Sequence, residues 1–92
     1  SCPMETYAIA AFRSRQAVFR FEATLNALAI ENRIISTPRA VSLGCGLSLR
    51  FDLAQLPKVL AAYDKDPIPN LIGFYRVESG QGGLQVTPAR RP

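Results

Sequence analysis

Cys45 stands between Gly44 and Gly46, and this triplet is the part of the chain best suited to chemistry. With no side chain on either neighbour a thiol can be approached by a partner, and glycines permit backbone angles closed to other residues. The thiolate is the reactive form of cysteine, and a helix N-terminus or nearby arginines lower its pKa from about 8.5 toward neutrality or below. Arg13, Arg39 and Arg50 are the guanidinium groups expected to converge on Cys45 and to hold an anionic sulfur species. Ser14 belongs to the helix start beside them, while Ser42 and the backbone N–H groups of Gly44 and Gly46 supply hydrogen bonds. The chain contains no histidine, so the commonest general base is missing and the helix end and arginines must do the activating. The competing reading makes Cys45 a small buried apolar residue whose glycines only serve a turn.

The surrounding segments must position that triplet. Residues 6–12 (TYAIAAF) are almost continuously apolar, as in a strand central to its sheet. Ser14 caps a helix in which Val18, Phe21, Leu25 and Leu28 recur at spacings of three and four, ending near Asn32. Residues 33–36 form a brief strand stopped by Thr37-Pro38, and residues 47–51 (LSLRF) alternate with period two. Asp52 and Gln55 have the spacing of a capping box before the stripe Leu56, Val59, Leu60, Tyr63, with Pro57 blurring where the regular helix begins. After the break at residues 66–70, residues 71–77 (LIGFYRV) read as a last strand.

The order is βαββαβ, which predicts an α+β, ferredoxin-like domain: a four-stranded antiparallel sheet with two helices on one face. Right-handed crossovers bring the end of the first strand and the start of the third to one edge. The loop carrying Cys45 then lies beside Arg13, Ser14 and Arg15, facing the positive end of the first helix. Ninety-two residues, 48% of them apolar, support one core. Residues 1–5 are expected as a leader, 6–78 as the domain, and the Gly-, Gln- and Arg-bearing residues 79–92 as a flexible basic tail.

The net charge of +4 divides unevenly. Residues 1–78 hold nine basic and seven acidic groups, a balance of +2, and Arg90 with Arg91 supply the other +2. A nearly balanced domain disfavours nucleic acid, as does a third strand offering Leu47, Leu49 and Phe51 in place of exposed aromatics. No apolar run reaches membrane-spanning length, and the N-terminus shows neither the basic nor the apolar region of a secretion signal, so a cytoplasmic location and two free thiols, Cys2 and Cys45, are expected. Two distant cysteines without histidine give no metal-binding spacing, and no cofactor is expected.

Pro38-Arg39, Ser42, Cys45-Gly46-Leu47 and Leu49-Arg50-Phe51, with Phe12-x-Ser14 and Glu22 upstream, resemble the selenium/sulfur carrier-like family from about Tyr7 to Tyr75. The resemblance implies a small cytosolic bacterial protein whose motif cysteine accepts sulfur or selenium from a donor protein and passes it to an acceptor. Gly44 and the extension after Val77 depart from that pattern. A regulatory or binding module, holding an anionic ligand at the same loop with Cys45 incidental, is the alternative. Whether the chain is an enzyme stays open at this point. Self-association into a homo-oligomer through exposed sheet or edge strands is expected under either reading.

Overall fold

The structure, a computed structural model, describes residues 4–44 and 46–90. The uninterrupted apolar stretch near the N-terminus forms β1 (Glu5–Phe12), and residues 8–12 are wholly buried because both faces of this strand are covered. Ala8, Ala10 and Phe12 point to the helices, while Tyr7, Ile9 and Ala11 point to the opposite face. The remaining elements are α1 (Arg15–Ala27), β2 (Asn32–Ser36), β3 (Leu47–Phe51), a 3₁₀ turn at Leu53–Gln55, α2 (Leu56–Lys65), β4 (Leu71–Gly80) and β5 (Gly83–Arg90). All pairings are antiparallel, in the order β2-β3-β1-β4-β5.

The α+β class with two helices and an antiparallel sheet is as expected, but the sheet has five strands and not four. The fifth arises in the segment expected as a flexible tail. Gly80 and Gly83 pair across Gln81-Gly82, and Gly83 takes a φ of 91° that favours glycine, so the Gly-rich stretch is a hairpin turn. Val86 rests on the helix-free face of the sheet, and Pro88 is tolerated because β5 is an edge strand. Arg90 fastens the end of β5 to α2 through two hydrogen bonds to the Asp64 carboxylate, at 2.9 and 2.5 Å, while its guanidinium lies 5.6 Å from the Phe74 ring centroid.

The bond to Arg90 holds the Asp64 carboxyl below the usual carboxylate range. A carboxyl depressed by folding leaves the unfolded chain binding more protons in that window, so stability rises with pH there. The contribution is complete above the ordinary value of 3.8 and disappears as pH falls through the lower folded value. Asp64→Asn is therefore expected to make thermal stability less sensitive to acidification below about pH 4 than in the parent chain, a difference that salt should shrink.

Val18, Phe21 and Leu25 of α1 pack with Val59 and Phe74 over β1 and β3, as the helical spacing required. The helix nevertheless stops at Ala27, five residues before Asn32. The Ile30 N–H donates to the Leu25 carbonyl at 2.9 Å and the Ala29 N–H to the Asn26 carbonyl at 3.0 Å, the pattern of a Schellman stop. Ala29 fills the left-handed position, with a φ of 57°, where glycine is the usual signal. Ala29→Gly is expected to raise unfolding free energy by about 0.5–1 kcal/mol, measured by urea denaturation. At the other helix, the Asp52 carboxylate accepts from the Ala54 N–H at 3.1 Å, so the capping residue starts the 3₁₀ turn that leads into Leu56-Pro57.

Candidate functional site

Residues 37–46 connect β2 to β3 and form the rim next to the end of β1. The Thr37 N–H donates to the Gly46 carbonyl at 2.9 Å, extending the β2–β3 ladder by one rung beyond Ser36 and Leu47. Pro38 closes a turn by accepting from the Val41 and Ser42 N–H groups at 2.9 and 3.1 Å. This turn lays Val41 against the cluster of Tyr7, Ile9, Ala11, Tyr75 and Val77 on the helix-free face. One apolar contact, through Val41, and one backbone rung, from Thr37 to Gly46, thus hold the loop to the sheet, and Leu43 at its tip is 82% exposed.

Cys45 and Cys2 lie outside the described residues. Gly44 and Gly46, the flanks of Cys45, play unlike parts. A Cβ on Gly46 would lie 3.1 Å from the Thr37 hydroxyl and 3.6 Å from the Phe12 carbonyl oxygen, so this glycine seats the loop against the ends of β1 and β2. A Cβ on Gly44 would meet only the Ser42 hydroxyl, at 3.8 Å. Neither uses a left-handed φ, so close approach at Gly46, and not unusual backbone angles, is what glycine supplies here. The N–H donors of both are occupied: Gly44 donates to Ser42 Oγ at 3.3 Å and Gly46 to the Gly44 carbonyl at 3.1 Å.

Beneath Gly46 lies a pair that the sequence reading missed. Thr37 and Ser48, both buried, share a hydrogen bond of 2.7 Å between their hydroxyls. Ser48 occupies the polar phase of an alternating strand, so its sequence pattern placed it in solvent. The face it joins is covered by Val41 and by residues of β1 and β4 that local sequence does not connect to it.

The arginines expected to converge do not all do so. Arg39 is exposed on the turn of residues 39–41, within the loop itself. Arg13 follows β1 directly, but its N–H donates to the Asn70 carbonyl at 2.8 Å and its guanidinium to the Leu71 carbonyl at 3.2 Å, which draws it toward β4. Ser14 caps α1 as expected, its Oγ accepting from the Ala17 N–H at 3.3 Å, and no acidic residue offsets the first helical turn. Arg50 sits four strand positions beyond Gly46, roughly 13 Å along β3. There it donates to the Glu5 carboxylate at 3.2 Å and its guanidinium lies 3.8 Å over the Tyr7 ring. The extended backbone of β3 therefore separates Arg50 from the loop, although both belong to the same short motif.

Arg39, Ser42, Gly44 and Gly46 thus share one loop, Ser14 and the backbone of Arg13 lie at the neighbouring end of β1, and Arg50 marks the opposite rim. Among the described residues no group of three or more cysteine, aspartate or glutamate side chains is placed to hold a metal ion. Among the described residues, too, no helix is long and apolar enough to cross a membrane.

A family model described as "Putative Se/S carrier protein-like" matches residues 7–72. The match runs from β1 through the loop to the opening of β4 and leaves the β4–β5 hairpin outside it. No curated protein sequence and no solved structure gives a match.

Proposed function

The chain belongs to the selenium/sulfur carrier-like family over residues 7–72, and from that premise we propose that Cys45 carries sulfur or selenium between a donor and an acceptor protein. The observation that most supports this reading is the asymmetric mounting of the loop. Gly46 is seated against Thr37 and β1, while Leu43 and Gly44 on the other side of Cys45 are exposed. A carrier needs a fixed base and an approachable flank, and this loop has both. In the same reading, β1 to β4 with the two helices form a ferredoxin-like unit to which β5 is added at the β4 edge.

The chemistry is an exchange without net oxidation. The Cys45 thiolate attacks the outer sulfur of a donor persulfide, forming a new S–S bond as the donor's own S–S bond breaks. The donor leaves as a thiolate, and the transferred sulfur keeps its proton or releases it to water. Arg39 in the loop and the uncompensated first turn of α1 at the neighbouring strand end favour the thiolate and the anionic persulfide. A selenium atom in the outer position follows the same steps. The alternative, an anion-binding nest in this loop, is the weaker reading because the Gly44 and Gly46 N–H groups already have acceptors within the loop.

Intact-mass measurement after incubation with a cysteine desulfurase and cysteine tests the proposal. The chain is expected to gain the mass of one sulfur atom, to lose it on treatment with a thiol reductant, and to gain it equally as Cys2→Ser. Cys45→Ser is expected to gain nothing. An unchanged parent mass, or equal gain by Cys45→Ser, would remove sulfur carriage at Cys45.

A further inference from the structure

We propose that β5 pairs with β5 of a second copy of this chain, antiparallel about a two-fold axis through Gln85, so that two five-stranded sheets become one. The two edges of the sheet are protected unequally. β2 and β5 are its edge strands, and the unpaired N–H and C=O groups of an edge are a template for another strand. β2 is only five residues long and carries the exposed Arg33, a charge that discourages pairing. β5 is eight residues long, and its guards lie toward its C-terminal end: Pro88, the register shift between Phe74 and Tyr75 opposite it, and Arg90 tied to Asp64. Residues 83–87 (GLQVT) carry no charge, no proline and no register shift, and among the described residues no strand lies along their outer side.

What selects a second copy is that this open segment is complementary to itself. Antiparallel pairing centred on Gln85 sets Leu84 opposite Val86 of the second copy and Gly83 opposite its Thr87. The axis runs perpendicular to the sheet, so both copies present the same face on the same side. Val86 packs with Tyr7 and Val77 on the helix-free face, and Leu84, two positions away, shares that face. Leu84 is 49% exposed, and the residue directly facing it on β4 is Ser79, which gives it no apolar contact. Val86 of the second copy supplies that contact, and the apolar row of the helix-free face continues from one sheet into the next.

On the other face the two exposed Gln85 side chains meet across the axis, and each amide has both a donor and an acceptor for its twin. A strongly charged partner gains nothing from the neutral residues 83–87, whereas an identical strand approaches them without repulsion. Residues 37–46 join β2 to β3, at the opposite edge of the sheet, so pairing through β5 leaves the loop of each copy open. This inference is independent of what Cys45 does.

The test is sedimentation equilibrium of the full chain in reducing buffer, which excludes a disulfide between copies. Pairing over so short a segment belongs with weak interfaces, so the average mass is expected to rise from one chain toward two between roughly 5 and 500 μM. Gln85→Lys and Gln85→Glu each bring like charges together at the axis and are expected to weaken self-association by roughly tenfold. Both change an exposed side chain, and each variant is expected to melt within about 5 °C of the parent. Mixed in equal amounts, the two variants are expected to pair with each other at least as tightly as the parent pairs with itself, because the axis then joins opposite charges. A single-chain mass across the whole range, self-association unchanged in both variants, or a mixture that pairs no better than either variant alone would overturn the proposal.

Discussion

Phe21→Ala should lower the unfolding free energy by about 3–5 kcal/mol, a large fraction of the roughly 5–15 kcal/mol that stabilises a domain of this size. Phe21 is completely buried and is the hub of the aromatic cluster on the helix side of the sheet. Its ring centroid lies 5.7 Å from Phe12, 5.9 Å from Tyr63 and 6.3 Å from Phe74, all at tilted or edge-on angles. Truncation removes these contacts together and leaves a cavity joining β1, β4, α1 and α2. The expected fall in melting temperature is on the order of 15–30 °C. Phe21→Leu, which keeps most of the volume, should cost about 1–1.5 kcal/mol. Urea denaturation of both variants checks this, and a loss below about 1.5 kcal/mol for Phe21→Ala would contradict the packing described here.

Gly46→Ala and Gly44→Ala, chemically the same change on either side of Cys45, should have opposite severities. At Gly46 the new methyl meets Thr37, whose hydroxyl is tied to Ser48 and whose N–H is tied to the Gly46 carbonyl, so neither neighbour can give way cheaply. Overpacking there should cost about 1–3 kcal/mol and lift the loop from the end of β1. At Gly44 the methyl enters open space near Ser42, and stability should stay within about 0.5 kcal/mol of the parent. If Cys45 carries sulfur, its uptake should fall by roughly tenfold or more in Gly46→Ala, since small misplacements of a reacting group are expensive. Thermal melts and the time course of mass gain read the two effects separately. Equal behaviour of the two variants would show that Gly46 does not seat the loop.

Where one element supplied its own signal, the chain was legible before any coordinates. The apolar run of residues 6–12 identified the buried central strand, and Val18, Phe21 and Leu25 marked the inward face of the first helix. The glycine-flanked cysteine also drew attention to the loop that the family match covers. Less could be read where the usual residue was replaced or its context was ambiguous. Ala29 ends a helix where glycine would have announced the stop, and the Gly-rich residues 80–83 make a hairpin although their composition equally suits disorder.

Local patterning alone therefore determined the α+β class, the inward faces of the helices, and the loop in which a thiol stands between two small neighbours, because periodicity and side-chain size act over a few residues. Tertiary structure alone decided that β5 is a strand, that Ser48 is buried against Thr37, and that Arg50 belongs to the far rim with Glu5 and Tyr7. Each of those outcomes depends on groups brought together from separate strands. Their free energy comes from contacts that exist only after the register between those strands is set.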